Sequence, residues 1–179
     1  MPKPAIYNDE VRQTYEDFTG LVDFRSVLLI GGTALGAYLP ARNTFDIDFA
    51  VRSKEDIDSI AIKVASKFRR HRTSAIEHRK TGVEVEFVYP ELVGLNPKLL
   101  ELAFSEARGD GGVLVASPKF LIALKLGRAC GSNSRAMIDR GDILGLSEAF
   151  GKQDLSDLEG LLKPSEIAFY DKLCLEAGI

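Results

Sequence analysis

The sequence has few cysteines, no large excess of either charge and no long apolar run, and each absence excludes a class of protein. Two cysteines among 179 residues, Cys130 and Cys174, are too few for a disulfide scaffold and lack metal-motif spacing. The 23 Lys and Arg against 26 Asp and Glu give a net charge of −3, which excludes a strongly basic nucleic-acid coat protein. No apolar run has membrane-spanning length, and the N-terminal Met-Pro-Lys-Pro lacks a signal-peptide core. We therefore expect a cytoplasmic protein without a membrane partner.

The order of predicted elements indicates an α+β fold. Short strands are predicted at 27–30, 45–51, 83–88 and 113–116, and helices dominate the last third. Ser53 caps a predicted helix whose inner face runs from Ile57 to Phe68. We expect a small mixed sheet flanked by helices over residues 1–116, with a helical C-terminal part over residues 117–179 packed on it.

Two aspartates stand two residues apart in an apolar strand, at Asp46 and Asp48. The period of a strand places both carboxylates on one face, where they repel each other. A divalent cation relieves that repulsion, and Mg²⁺ commonly takes one or two carboxylates together with substrate phosphates. The alternative is a pair of solvated acids at a strand end.

Glycines at Gly31 and Gly32 follow the predicted strand 27–30 and precede a short helix. Such glycines let backbone N–H groups approach an anion, and Thr33 adds a hydroxyl. A plain strand-to-helix turn would have the same appearance. The segment lacks the Gly-Lys-Ser/Thr of a P-loop and the third glycine of a dinucleotide-binding fingerprint.

A second acidic strand contains Glu84 and Glu86, whose side chains share one face. If this strand pairs beside the Asp46 strand, one glutamate can complete a three-carboxylate site for two cations. The alternative is an amphipathic edge strand with a wet acidic face.

The string Gly31-Gly32, followed by Arg42-x-Thr44-x-Asp46-Ile47-Asp48, resembles the signature of the polymerase-beta-type nucleotidyltransferase superfamily. Within it, the chain is most similar to the AbiEii-like branch. The resemblance implies that Asp46, Asp48 and a third carboxylate bind two Mg²⁺ ions, with Mn²⁺ as an alternative. The third carboxylate would be Glu86, which directly precedes an apolar pair, and Glu84 is the rival. The residues implied in nucleotide binding in this block are Gly31, Gly32, Thr33, Arg42 and Thr44.

A second block, from Val115 through Lys125 to the Asp139-Arg140-x-Asp142 stretch, resembles the C-terminal helical motif of the same branch. The resemblance implies that Lys125 faces the nucleotide phosphates as a catalytic and nucleotide-binding residue. The resemblance also implies that Asp142 supports the nucleotide site, with Asp139 as the other candidate. A lysine on an otherwise apolar helix needs a buried partner, which a triphosphate would supply. Snorkelling to solvent or pairing with Asp142 are the structural alternatives.

These patterns predict an Mg²⁺-dependent nucleotidyltransferase that moves a nucleoside monophosphate from an NTP to an acceptor hydroxyl and releases pyrophosphate. Three classes of acceptor are compatible with these patterns: RNA, protein and a small molecule. One rival is a non-catalytic partner-binding relative of antitoxin or regulatory type. Another role for the enzyme is the toxin of a toxin–antitoxin pair, with a cognate antitoxin as its partner.

Residues 67–80 carry six of the chain's lysines and arginines and both histidines, His71 and His78. The segment could bind RNA or another polyanion. The simpler interpretation is a helix end followed by an exposed hairpin strand, because cations favour helix C-termini. We expect both histidines at the surface and not as metal ligands.

Overall fold

The computed structural model describes residues 3–40, 44–109 and 113–179. It divides into two compact units, residues 1–116 and residues 117–179. The helices of the first unit in the described residues are α1 (Asp9–Thr19), α2 (Gly31–Leu35), α3 (Lys54–Lys63), α4 (Pro90–Val93) and α5 (Pro97–Glu106), with a 3-10 helix at Phe24–Ser26. Its strands are β1 (Leu28–Ile30), β2 (Asp46–Ala50), β3 (Phe68–Arg72), β4 (Ala75–His78), β5 (Glu84–Val88) and β6 (Leu114–Val115).

The six strands form one mixed sheet in the order β3-β4-β5-β2-β1-β6. The β2–β5 and β1–β6 pairs are parallel, and the other neighbouring pairs are antiparallel. The sheet and its helices confirm the predicted α+β class. Strand β5 pairs with β2, which is the arrangement required for one glutamate of β5 to join Asp46 and Asp48.

Helix starts follow local capping signals. The Asn8 side chain accepts hydrogen bonds from the first turn of α1, at 2.9 Å from the Glu10 nitrogen. Ser53 and Asp56 form a reciprocal capping box at the start of α3, with distances of 3.3 and 3.0 Å. The predicted inner face of α3 is wrong at Phe68, which is the first residue of β3. Pairing with β4 overrides the helical spacing there.

An aromatic cluster fixes α1 on one face of the sheet. The Phe18 ring lies 4.9, 5.7 and 6.0 Å from the rings of Phe49, Phe68 and Phe87, measured between centroids. These three side chains come from β2, β3 and β5 and are buried. Because side chains alternate along a strand, the acidic side chains of β2 and β5 project from the opposite face of the sheet.

The second unit is helical in the part that the structure describes. Its elements are α6 (Pro118–Ala129), α7 (Ser134–Phe150), a 3-10 helix at Ser156–Leu158, and α8 (Pro164–Ala177). Buried Tyr170 on α8 joins these elements, since its hydroxyl lies 3.0 Å from the Ser147 hydroxyl and accepts from the Gln153 backbone at 2.8 Å. None of the helices in the described residues of either unit is long and apolar enough to cross a membrane.

Candidate active site

Asp46 and Asp48 lie on the same face of β2, as the alternation predicts. Asp46 is exposed and Asp48 is half-buried, whereas Ile47 and Phe49 are buried on the other face. Two carboxylates on one face of one strand are the arrangement that a divalent cation would favour.

The second acidic strand stands in register with the first. Asp46 is opposite Glu84 and Asp48 is opposite Glu86 on the parallel pair β2–β5. Neighbouring strands lie about 4.8 Å apart, so the four carboxylates project from one face of the sheet in two adjacent rows, each row joining one residue of β2 to its partner on β5. Glu86 therefore shares a row with the more buried aspartate.

Gly31 is shaped to receive Asp48. It begins α2 with φ +68°, in the left-handed region that glycine favours, directly after Ile30, which pairs with Asp48 across β1 and β2. A Cβ atom at Gly31 would lie 1.9 Å from Asp48 Oδ2. Any other residue would strain the backbone and displace this carboxylate.

The hydroxyl of Thr33 connects α2 to β2. It donates to the Asp46 carbonyl at 3.2 Å and lies 3.5 Å from the Thr44 hydroxyl. Gly32 and Thr33 are both buried. The predicted roles of Gly32, Thr33 and Thr44 in nucleotide binding stay predictions, and Arg42 lies outside the described residues.

A cation that the sequence did not assign to the site, Arg72, binds both glutamates of β5. Its Nε and Nη2 atoms lie 3.0 and 2.7 Å from Glu84 Oε1, and Nη2 lies 2.7 Å from Glu84 Oε2. The same Nη2 lies 2.5 Å from Glu86 Oε1. Hydrogen bonds to Glu84 and then to Glu86 raise the pKa of the Arg72 guanidinium. No local signal in the sequence indicates this contact, because Arg72 lies on β3, and β4 separates that strand from the acidic strand β5.

The basic segment 67–80 is a hairpin whose cations largely have acidic partners. Lys67 pairs with Asp17, Arg69 with Glu77 at 2.5 Å, and Arg70 with Asp58 at 3.1 Å. Half-exposed His71 also lies between carboxylates, 3.4 Å from Glu77 and 3.3 Å from Glu84. This arrangement favours the interpretation as an exposed hairpin over a polyanion-binding surface.

The expected surface position of His78 is wrong, because its side chain is 2% exposed. Its Nε2 lies 3.1 Å from Asp17 Oδ2, and its Nδ1 lies 2.9 Å from the Thr81 hydroxyl. The pKa of Asp17 is lowered, chiefly by the hydrogen bond from Lys67 and also by the charges of Lys67 and His78, although burial of the carboxylate acts in the opposite direction. This network connects α1 to the hairpin and lies away from the acidic face, since Phe68, its ring neighbour, packs on Phe18.

In the second unit, Lys125 has two acidic partners on α7. Its Nζ atom lies 2.8 Å from Asp139 Oδ1 and 2.9 Å from Asp142 Oδ2. Lys125 is 2% exposed, Asp139 0% and Asp142 9%. The pairing named as an alternative from the sequence is thus present, and the phosphate-facing role of Lys125 stays a prediction, as does the nucleotide role of Asp142.

Asp139 is the most enclosed member of this cluster and is held charged by two cations. Burial alone would raise its pKa, but Lys125 and Arg128 outweigh that effect and bring the pKa below the ordinary value of 3.8. Arg128 Nε lies 3.0 Å from Asp139 Oδ2. Asp139 therefore belongs to an ionised buried network.

The acidic face of the first unit suits a hard divalent cation by chemistry and by strand register, because Asp46, Asp48 and Glu86 offer oxygen ligands. The side chains do not yet converge: in residues 3–40, 44–109 and 113–179, no three His, Cys, Asp or Glu side chains are placed to hold a metal ion. The Glu86 carboxylate is bonded to Arg72 instead. Completing a three-carboxylate site would require Glu86 to leave that partner.

Comparisons with known proteins bear on the fold. No family model and no curated protein matches the sequence. Among solved structures, the chain is similar to the Megavirus polyadenylate synthase, with a TM-score of 0.55, 14% identity and 82% of this chain covered. The chain spans 33% of the length of that protein. The fold is therefore nucleotidyltransferase-like, as predicted from the sequence, and the AbiEii-like branch stays a prediction.

Proposed function

We propose that this protein is a nucleotidyltransferase that moves a nucleoside monophosphate from an NTP to an acceptor hydroxyl and releases pyrophosphate. The observation that carries the proposal is the row formed by Asp48 and Glu86 on adjacent parallel strands, with Asp46 beside it and Gly31 packed on Asp48. A nucleotidyltransferase-like fold supports the same conclusion.

Asp46, Asp48 and Glu86 are the residues that would hold Mg²⁺, as two ions, or Mn²⁺ in its place. When bound, the cation would supply charge neutralisation at the phosphates and activation of the acceptor oxygen. Glu86 is favoured over Glu84 because Arg72 engages both oxygens of Glu84 but one oxygen of Glu86. Gly31 contributes by leaving room for the Asp48 carboxylate.

On the nucleotide side, the backbone N–H groups at Gly31 and Gly32 and the hydroxyls of Thr33 and Thr44 are proposed to orient the triphosphate. An ammonium has three N–H donors, and Lys125 uses two of them on Asp139 and Asp142. We propose that the third donor of Lys125 is the one available to a phosphate. The chemistry would then rest on positioning and charge neutralisation.

For the acceptor, an RNA 3′ hydroxyl is the first choice for testing, because the similar solved structure is a polyadenylate synthase. Protein and small-molecule hydroxyls are the other classes. We propose the AbiEii-like branch as the nearer relationship, in which the chain would act as a toxin with a cognate antitoxin.

The test is label transfer. The protein is incubated with each α-³²P-labelled NTP, Mg²⁺ and either RNA or a cell extract, and the labelled fraction is identified. We expect transfer by the wild type, its loss in Asp46→Asn and Asp48→Asn, and wild-type transfer in Asp58→Asn, a matched loss of charge at an exposed residue of α3. Absence of label with all four NTPs, or full transfer by Asp46→Asn, overturns the proposal.

A non-catalytic partner-binding protein is the second candidate, and the bond between Arg72 and Glu86 favours it. A carboxylate already neutralised by an internal cation has less need of a metal. Calorimetry with Mg²⁺ and each NTP at millimolar concentration separates the two candidates. Heat of binding that disappears in Asp48→Asn supports the enzyme, and its absence in the wild type supports the binding protein.

A further inference from the structure

The Arg72 guanidinium supplies a positive charge at the β5 side of the acidic face. Asp46, Asp48, Glu84 and Glu86 bring four negative charges to two adjacent rows of β2 and β5. Arg72 comes from the edge strand β3, where it pairs with Ala75, and Ala75 in turn pairs with Glu86. The sheet thus places Arg72 at the end of the row that contains Asp48 and Glu86.

The contacts of Arg72 with the two glutamates are unequal. Glu84 receives it through both carboxylate oxygens, at 2.7 Å each from Nη2, with Nε at 3.0 Å from Oε1. Glu86 receives a single contact, at 2.5 Å from Oε1. A guanidinium held by two oxygens of one carboxylate keeps its position when the second carboxylate departs.

We infer that Arg72 is a positioning residue that holds Glu86 before the divalent cation arrives and competes with that cation for the Glu86 carboxylate. The inference rests on the proposed function, because it requires a metal at Asp46, Asp48 and Glu86. Glu84 serves as the anchor of Arg72 throughout, which gives the two neighbouring glutamates different tasks.

The competition has a measurable consequence. Removing the guanidinium frees Glu86 from Arg72 and takes one positive charge away from the acidic face, so the metal should bind more tightly. Because Arg72 is 52% exposed, the effect should be that of a solvent-screened ion pair, about two- to five-fold in the dissociation constant.

The matched control is Arg70→Gln. Arg70 is on the same strand and also pairs with a carboxylate, Asp58 at 3.1 Å. Its substitution by glutamine removes the same charge as Arg72→Gln. It differs in its place on the sheet, because it pairs with the buried Ile76 and a register shift separates it from Arg72. A general effect of net charge would therefore appear in both variants, and a specific effect only at Arg72.

The experiment is a Mn²⁺ titration of the full chain, followed by electron paramagnetic resonance of the free ion, with a urea unfolding curve to show that each variant is folded. We expect Arg72→Gln to bind Mn²⁺ about two- to five-fold more tightly than both the wild type and Arg70→Gln. Arg72→Lys keeps the charge but loses the forked guanidinium, so its Mn²⁺ affinity should lie between those of the wild type and Arg72→Gln. Asp48→Asn should lose the site.

Equal affinities in Arg72→Gln and Arg70→Gln, or weaker binding in Arg72→Gln, overturn the inference while leaving an Asp48-dependent metal site intact. Binding that persists in Asp48→Asn, or that is absent from all variants, instead overturns the metal site of the proposed function, and the inference with it. The two failures thus give different results in one titration.

Discussion

Replacing Lys125 by methionine should destabilise the second unit strongly, because it removes the cation that two buried carboxylates share. Lys125 is 2% exposed, and its Nζ lies 2.8 Å from Asp139, which is 0% exposed. Methionine retains the unbranched apolar stem, so the change isolates the charge. Removing one partner of a buried pair costs about 3–5 kcal/mol. Arg128 remains 3.0 Å from Asp139 and offsets part of the loss, so we expect a value near the lower end, about 3 kcal/mol.

The assay is urea unfolding followed by circular dichroism. With a slope of about 2 kcal/mol per molar, a loss of about 3 kcal/mol lowers the midpoint by about 1.5 M. The control is Lys119→Met on the same helix, where the lysine side chain is 17% exposed but its partner Asp157, at 2.7 Å, is 54% exposed and therefore solvated without it. That change should cost no more than about 1 kcal/mol.

A second variant separates the buried charge from other effects. Lys125→Met combined with Asp139→Leu also removes the more deeply buried of the two carboxylates and should recover at least half of the lost stability, since apolar replacements of a buried ion pair are often tolerated. If Lys125→Met is as stable as Lys119→Met, the buried-pair reasoning is wrong. A fall in NTP affinity without loss of stability would instead favour the phosphate-facing role.

Two further predictions concern Gly31 and Asp139. Gly31→Ala should lower the free energy of unfolding by about 1–2 kcal/mol because of the left-handed backbone, and it should also weaken Mn²⁺ binding. Gly82→Ala is the control, since Gly82 has φ +74° and an added Cβ would meet no atom within 4 Å, so only the backbone cost should appear. Equal Mn²⁺ affinities of the two variants would contradict this prediction. Because the folded-state pKa of Asp139 is held below 3.8, its stabilisation is complete above that pH and is lost as pH falls through the folded pKa. The stability difference between the wild type and Asp139→Asn, from urea curves, should shrink in acid, and a constant difference would refute it.

Features that depend on neighbouring residues could be predicted from the sequence. Asn8 and Ser53 start helices because their side chains satisfy N–H groups two or three residues away. The acidic and apolar faces of β5 follow from strict alternation along the strand. The common face of Asp46 and Asp48 follows for the same reason.

Strand β3 could not be predicted in this way. Its sequence Phe-Arg-Arg-His-Arg has one buried residue followed by four exposed ones, so it shows no alternation. It becomes a strand because it pairs with β4, which also moves Phe68 from the predicted helix into the sheet. Likewise His78 is buried through contacts with Asp17, far away in the sequence.

The role of Arg72 depends on a single irregularity. Along a regular strand, residues two apart share a face, so Arg70 and Arg72 would point the same way. The register shift between them instead pairs Arg70 with Ile76 and Arg72 with Ala75, on different faces of β4. No local signal in the sequence fixes such a shift, and without it Arg72 could not meet both glutamates of β5.

The charge pattern of the chain takes on a different meaning once this hairpin is in place. In the sequence, the acidic pairs and the basic segment look like separate regions that would serve separate ligands. In the sheet, Arg72 pairs with Glu84 and Glu86, so the basic hairpin neutralises charge on the acidic strand beside it, while Arg69 pairs with Glu77 within the hairpin. The carboxylates that lack such a basic strand beside them belong to β2, whose neighbours are β1 and β5. Glu86, which lies opposite Asp48 and is bonded to Arg72, is therefore the residue placed to belong either to Arg72 or to a cation bound at β2.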